Sequence, residues 1–235
     1  MSAFPARGQE GGEWMSVSDL MSGLMLVFLM ISVFFMLQVQ APAIEHLERE
    51  EALVAALTEE FEDDFPTYRA EFDSAKISIV FTEPEILFES GETSLREAFR
   101  IILRDFFPRY VSVLGDERFQ EYVAEVRIEG HTSSVWVGSD PSDPIDAYVK
   151  NMNLSQGRSR EVLEFVVRLP GVEQQWDEWL KEPLTANGLS SSQLRFVDNS
   201  GLEDAKGSRR VEFRVRLDTD ETVIQSAIWE DDETP

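Results

Sequence analysis

The chain has no cysteine among its 235 residues, which excludes disulfides, thiolate metal sites and a cysteine nucleophile. Histidine is nearly absent. His46 sits in an acidic stretch and reads as a surface residue, and His131 is too isolated in sequence to predict a metal site, so none is expected. Basic residues are scarce, with 21 Lys and Arg against 45 Asp and Glu. The resulting net charge of −24 excludes nucleic acid as a direct partner, because binding a polyanion requires a basic face that releases counterions. No Gly-rich phosphate loop and no Ser, His and acid nucleophile motif occurs, so neither an enzyme nor a bound cofactor is expected.

What is present is acid in two blocks and one long apolar run. Ile44 to Asp64 holds nine acids against one Arg and predicts a solvated helix; Asp218 to Pro235 holds seven against no base and predicts an acidic, disordered tail over 219–235. Between Leu20 and Leu37 nothing is charged, and only Ser22, Gly23 and Ser32 interrupt the apolar residues. That run approaches the ~20 residues a helix needs to cross hydrocarbon. A transmembrane helix is therefore expected within 15–40, behind a leader, 1–14, with Trp14, Gln38 and Gln40 marking the interfaces. Ala41-Pro42-Ala43 resembles a signal-peptide cleavage site, but the apolar region is too long, and Glu10 and Glu13 offset Arg7, the leader's one base. A retained span is the better reading. The leader is placed in the cytoplasm and the large C-terminal part across the membrane from it, as for a single-pass protein.

Asp19 stands at the front of this apolar run. One account makes it an interfacial acid that reaches water or caps the first turn. The other follows from spacing: Asp19, Ser22, Gly23, Leu26 and Met30 fall on one helical face, so an acid, a hydroxyl and a small residue are presented together. An ionised carboxylate is costly in hydrocarbon, which makes loading and release of a proton the chemistry such a face offers. Asp19 is then the ion carrier, and Ser22 and Gly23 support its pore face.

After the span, residues 41–72 read as an acidic amphipathic helix and linker, with Leu47, Val54 and Phe61 at heptad spacing and Leu57 nearby. Such a helix would pair with a second copy or serve as a plug. The remainder, 73–218, alternates strand and helix signals. "KISIVF" (Lys76 to Phe81) and "YVAEVRIEG" (Tyr122 to Gly130) read as strands, and 93–113 and 146–169 as helices. A short helical segment holds Trp176 and Trp179, and "LRFVD" (194–198) and "RRVEFRVRL" (209–217) read as a final adjacent strand pair. The fold class expected is α+β: one N-terminal transmembrane helix, then a mixed sheet with packed helices.

Four strings carry a resemblance: "ILFESGETSL" (86–95), "VRIEGHT" (126–132), "NMNLSQGRSREV" (151–162) and "GSRRVEFRV" (207–215). Their order resembles that of OmpA-like peptidoglycan-binding domains. The resemblance implies that Thr132, Ser133, Asn151, Leu154 and Arg158 grip the diaminopimelate part of the wall peptide. Arg158 suits this, since its planar fork holds a carboxylate through two parallel hydrogen bonds, whereas a simple ion pair with Glu161 or Glu164 is the plainer alternative. Two departures stand out. Ser133 replaces the family's Asp, the acid that meets the ligand's amine, and the following loop is longer and carries Asp140, Asp143 and Asp146, any of which would restore the charge. Ser208, Arg209 and Arg210 replace the family's Asn-Arg-Arg and are expected to be mainly structural.

The string "SDLMSGLM" ahead of such a domain resembles the MotB family of ion-driven stator subunits, and the wording of the span is most similar to the branch serving Zorya anti-phage defence. That resemblance implies a homodimer inside a ring of a larger multi-span MotA-like subunit (ZorA in that branch), held to peptidoglycan and driven by H+ or Na+. A flagellar stator subunit and a passive wall tether remain as alternatives.

Overall fold

A computed structural model describes residues 10–89, 91–140, 143–197 and 200–218. The tail 219–235 and the first part of the leader lie outside them, as do the side chains of Trp14, Gln38, Gln40 and Ala41-Pro42-Ala43. The elements in chain order are helix α1 (Glu10–Phe61), α2 (Phe65–Tyr68), strands β1 (Ala70–Asp73) and β2 (Ser78–Phe81), and helices α3 (Pro84–Leu87) and α4 (Glu97–Leu114). A 3-10 turn (Gln120–Tyr122) leads to β3 (Val123–Gly130), followed by α5 (Pro144–Val166), α6 (Val172–Gln175) and a π-helical turn (Trp176–Leu180). Strand β4 (Leu184–Gly188), α7 (Ala205–Ser208) and β5 (Val211–Leu217) complete the domain. The chain divides into two compact units, Met1–Glu48 and Arg49–Pro235.

In the first unit, Val17–Met36 is the one stretch among the described residues long and apolar enough to cross a membrane. Its 20 residues rise about 30 Å as a helix, the thickness of a hydrocarbon core. All of them are exposed within this chain, Asp19, Ser22 and Gly23 included.

In the second unit the sheet order is β1-β2-β5-β3-β4. Neighbours are antiparallel except β3 and β4, which run parallel and are joined through α5, as a parallel pair requires a long crossover. Alternation in the strands sets the layers. Ile79, Phe81, Val126, Ile128, Phe213 and Val215 are buried in the core, and Phe99, Leu103, Phe106, Phe107 and Tyr110 of α4 join them there. Edge-to-face contacts at 5.1 Å for Phe106–Phe213 and 5.3 Å for Phe81–Phe106 centre that layer.

Two expectations need correction. The C-terminal part of α1 is not a free linker or plug: Leu53, Leu57 and Phe61, at i, i+4 and i+8, are fully buried in the domain core, whereas Leu47 is 58% exposed. Arg109 fastens the same stretch, with Nε donating to Glu60 Oε1 at 2.6 Å and Nη2 lying 2.9 Å from Asp64 Oδ2. The compact unit thus begins near Arg49, not at 73. Nor is "LRFVD" a strand. The fourth strand is "LTANG", 184–188, paired parallel to β3, and β5 sits between β2 and β3. Asn187 and Gly188 disguise that strand as a turn, while Phe196 and Val197 are exposed on a loop where Phe196 bridges to Glu203, the Val197 amide donates to the Leu202 carbonyl at 2.9 Å and the Asp204 amide to the Arg195 carbonyl at 2.8 Å.

The core role of α1 predicts that Leu57→Ala lowers unfolding free energy by about 2–5 kcal/mol, the usual cost of emptying a filled core site, whereas Leu47→Ala changes it by no more than about 0.5. Urea unfolding followed by circular dichroism reads both.

A cationic pocket between the end of β3 and helix α5

Helix α5 approaches the sheet where two glycines stand side by side, Gly130 on β3 opposite Gly188 on β4. A Cβ on Gly130 would lie 2.5 Å from the Ser155 carbonyl oxygen, and one on Gly188 would lie 2.3 Å from the Gln156 nitrogen, so neither position tolerates a side chain. The contact is also polar. Gln156 takes the Gly188 amide proton on Oε1 at 2.7 Å and donates Nε2 to the Ala186 carbonyl at 3.1 Å, and Ser155 Oγ accepts from the Ser190 amide at 3.0 Å.

This docking sets Asn151, Leu154 and Arg158, spaced three and four residues apart on one face of α5, beside Thr132 and Ser133, which follow β3. All five residues expected from the sequence line one pocket of about 630 Å³, together with Phe88, Gly91, Arg96, Val135, Trp136, Val137 and Arg209. Asn151 Nδ2 donates to the Ser133 carbonyl at 3.1 Å. Thr132 Oγ1 is buried without a hydrogen-bond partner.

Arg158 is only 8% exposed, and no carboxylate pairs with it among the described residues. Its Nε donates to the Glu92 carbonyl at 2.9 Å, its Nη2 reaches the Glu89 carbonyl at 3.4 Å, and its guanidinium lies 4.7 Å from the Phe88 ring centre. The plainer alternative, an ion pair along the helix, falls instead to Arg160 with Glu164. Burial, aided by the charge of Arg209, lowers the pKa of Arg158 to about 10, so it stays charged at neutral pH. A buried cation held by carbonyl dipoles is a receptor for an anion.

Sequence reasoning missed the rest of the lining. Phe88 and Gly91 belong to the "ILFESGETSL" string, which offered order but no role, and Arg209 had been grouped with structural arginines. Arg210 fits that description: it is buried and ion-pairs with Glu212, and its Nη1 donates to the Gln193 and Ser208 carbonyls at 3.1 and 3.2 Å. Arg209 turns to the pocket and pairs with no acid among the described residues. The long loop does not restore the missing acid. Asp143 caps α5 by accepting from the Ile145 and Asp146 amides, Asp146 pairs with Lys150 at 2.7 Å, and none of Asp140, Asp143 and Asp146 lines the pocket.

His131 is less isolated than its sequence position implied. Its Nε2 lies 3.5 Å from Glu129 Oε2 and 3.7 Å from Glu212 Oε1, and all three residues are buried. The grouping has the spacing of a cation site. However, Arg210 already balances Glu212, Arg127 Nη1 stands 3.7 Å from Glu129, and Ser78 Oγ donates to Glu212 Oε2 at 3.2 Å. Neither ring nitrogen of His131 makes a hydrogen bond; the chain leaving β3 is held by its backbone, with the His131 amide donating to the Arg210 carbonyl at 3.0 Å and the Thr132 amide to the Ser190 carbonyl at 2.9 Å.

Fold and pocket define a class: an α+β domain with a five-stranded mixed sheet, preceded in the chain by a membrane-length apolar helix. The Zorya protein ZorB of Escherichia coli is 41% identical over 221 residues, covering 90% of this chain and 90% of that protein. The chain belongs to the ZorB family. Solved structures give partial likenesses: the cell wall anchor of the T6SS from Pseudomonas aeruginosa (22% identity, 69% of this chain and 97% of that one, TM-score 0.45) and a putative MotB-like protein from Desulfovibrio vulgaris (21%, 72% and 96%, TM-score 0.44). A further one is the periplasmic domain of Helicobacter pylori MotB (12%, 67% and 87%, TM-score 0.41). No family model matches the chain.

Burial pushes the Glu212 carboxyl up, but the charges of Arg210 and His131 outweigh it and hold the pKa below the usual glutamate range. A carboxylate depressed in the folded state contributes stability that is complete above its unfolded pKa, about 4.3, and is lost as pH falls through the folded value. Glu212→Gln, which leaves Arg210 buried and unpaired, is therefore expected to cost about 3–5 kcal/mol at pH 7. The gap from wild type should narrow below about pH 4, as urea unfolding at both pH values would show.

Proposed function

We propose that this chain is the membrane-spanning, wall-anchored subunit of an ion-driven rotary complex of the stator type, acting in anti-phage defence. The observation that carries the wall half is the convergence of Thr132, Ser133, Asn151, Leu154 and Arg158 on one pocket around a buried guanidinium that lacks a protein carboxylate. A carboxylate of the wall peptide completes that guanidinium's fork, and Asn151 both orients the Ser133 carbonyl and offers its amide oxygen. The domain then sits in the periplasm of the inner membrane, with the leader in the cytoplasm.

The membrane half rests on Asp19. Its face with Ser22 and Gly23 is exposed in the lone chain, and a carboxylate in hydrocarbon needs protein or water around it. A second copy and a surrounding ring of a multi-span ZorA-like or MotA-like subunit supply that environment. Asp19 takes up and releases H+, and each elementary charge crossing the membrane potential yields ~2.3 kcal/mol per 100 mV, enough to bias a rotational step. Anchoring by the pocket keeps the dimer from turning with the ring.

Two experiments separate the halves. Arg158→Ala, with folding checked by circular dichroism, should reduce recovery of the full chain on purified sacculi by about tenfold or more, and unchanged recovery would reject the assigned wall site. In cells carrying the whole operon, Asp19→Asn should abolish protection in phage plating while the protein keeps its membrane level. Full protection by the Asn variant would leave a passive tether as the better account.

A further inference from the structure

The lining of the pocket has a charge pattern that constrains its ligand beyond "wall peptide". Three guanidiniums face it, those of Arg96, Arg158 and Arg209, and no carboxylate lines it among the described residues. Of the nearby acids, Glu92 meets Arg158 through its carbonyl and does not line the cavity, and four others are engaged. Glu89 pairs with Arg96 at 2.6 Å, Glu203 accepts from the Ser134 amide at 3.0 Å, Asp146 holds Lys150, and Asp143 caps α5. Arg96 is thereby neutralised in part, which leaves Arg158 and Arg209 as two cations with no acid between them, close enough for one to depress the pKa of the other. Such a pair is relieved by two negative charges and made worse by a third positive one. An ammonium placed beside Ser133 would find a hydroxyl and a carbonyl but no counter-charge.

The rest of the lining is apolar: Phe88, against which the Arg158 guanidinium lies, Leu154 and Trp136 line the cavity, and Val135 and Val137 are 68% and 94% exposed beside it. An uncharged amide extending from the ligand is accommodated there without the desolvation cost that an ammonium would meet.

We propose that this pocket recognises the cross-linked form of the wall stem: a diacid whose diaminopimelate side-chain amine is acylated, with one carboxylate on Arg158 and a second on Arg209. The inference rests on the wall-binding reading above and narrows its ligand. It assigns Arg209 a binding role and makes Ser133 the residue that sets indifference to the amine. A protein with this pocket can hold the load-bearing, bonded part of the wall, which a site that needs the free amine would be denied.

The test is calorimetric titration of the full chain in detergent with two probes at equal concentration: a disaccharide tetrapeptide carrying the free diaminopimelate amine, and the same compound N-acetylated at that amine. Wild type should bind the acetylated form at least as tightly as the free one. Arg209→Ala should weaken both by about tenfold, the worth of one charge-assisted hydrogen-bonded contact. Ser133→Asp should shift the ratio by about tenfold or more toward the free amine, since it returns a counter-charge. A wild-type preference of tenfold or more for the free amine would overturn the inference, and so would unchanged affinity in Arg209→Ala, while both would leave wall binding standing. If neither probe binds and sacculi fail to retain the wild-type chain, the wall-binding reading itself falls.

Discussion

Helix α5 lies against the sheet at a distance that leaves no room for a side chain on Gly130 or Gly188, and the pocket depends on this contact. The two glycines are partners across the parallel β3 and β4 pair, so one helix turn, through Ser155 and Gln156, presses on both strands at once. Gln156 completes the contact by bonding backbone groups of β4 as a neighbouring strand would. Once α5 is seated, Asn151, Leu154 and Arg158 have one place to go, above the chain leaving β3. Backbone bonds hold that exit, from the His131 amide to the Arg210 carbonyl and from the Thr132 amide to the Ser190 carbonyl.

Electrostatics gives this geometry its meaning. In a chain of net charge −24, the described acids other than the buried Glu129 and Glu212 lie mostly on surfaces, at caps and along α1, while the pocket gathers arginines. Removing Arg158 from water is costly, and backbone carbonyls from 89 and 92 with the Phe88 face offset only part of it. The remainder is available to an anionic ligand. The same reasoning applies to Asp19, whose carboxylate is exposed on the apolar helix among the described residues and carries a cost in hydrocarbon that the proposed neighbours would offset.

Much of this was legible in the sequence, for identifiable reasons. The apolar run, the two long helices and strands β2, β3 and β5 carry strong periodicity, and the five expected residues fall in strings that the fold brings to one pocket. What was not legible depends on distant contacts. Strand β4, as "LTANG", has turn-forming residues because Gly188 answers to a helix thirty residues earlier in the chain, not to local propensity. Leu53, Leu57 and Phe61 look the same in sequence whether they face a second copy or their own domain. Arg209 and Arg210 are adjacent and alike, yet between α7 and β5 one lines the pocket and the other pairs with Glu212.

A co-crystal structure of the full chain with a muropeptide tests the central claim most directly. The account predicts a ligand carboxylate bridging the free edge of the Arg158 guanidinium, within hydrogen-bond reach of Asn151 or Thr132, with the 88–92 segment unmoved. A ligand seated elsewhere, or one that leaves Arg158 bonded only to the carbonyls of Glu89 and Glu92, would contradict it.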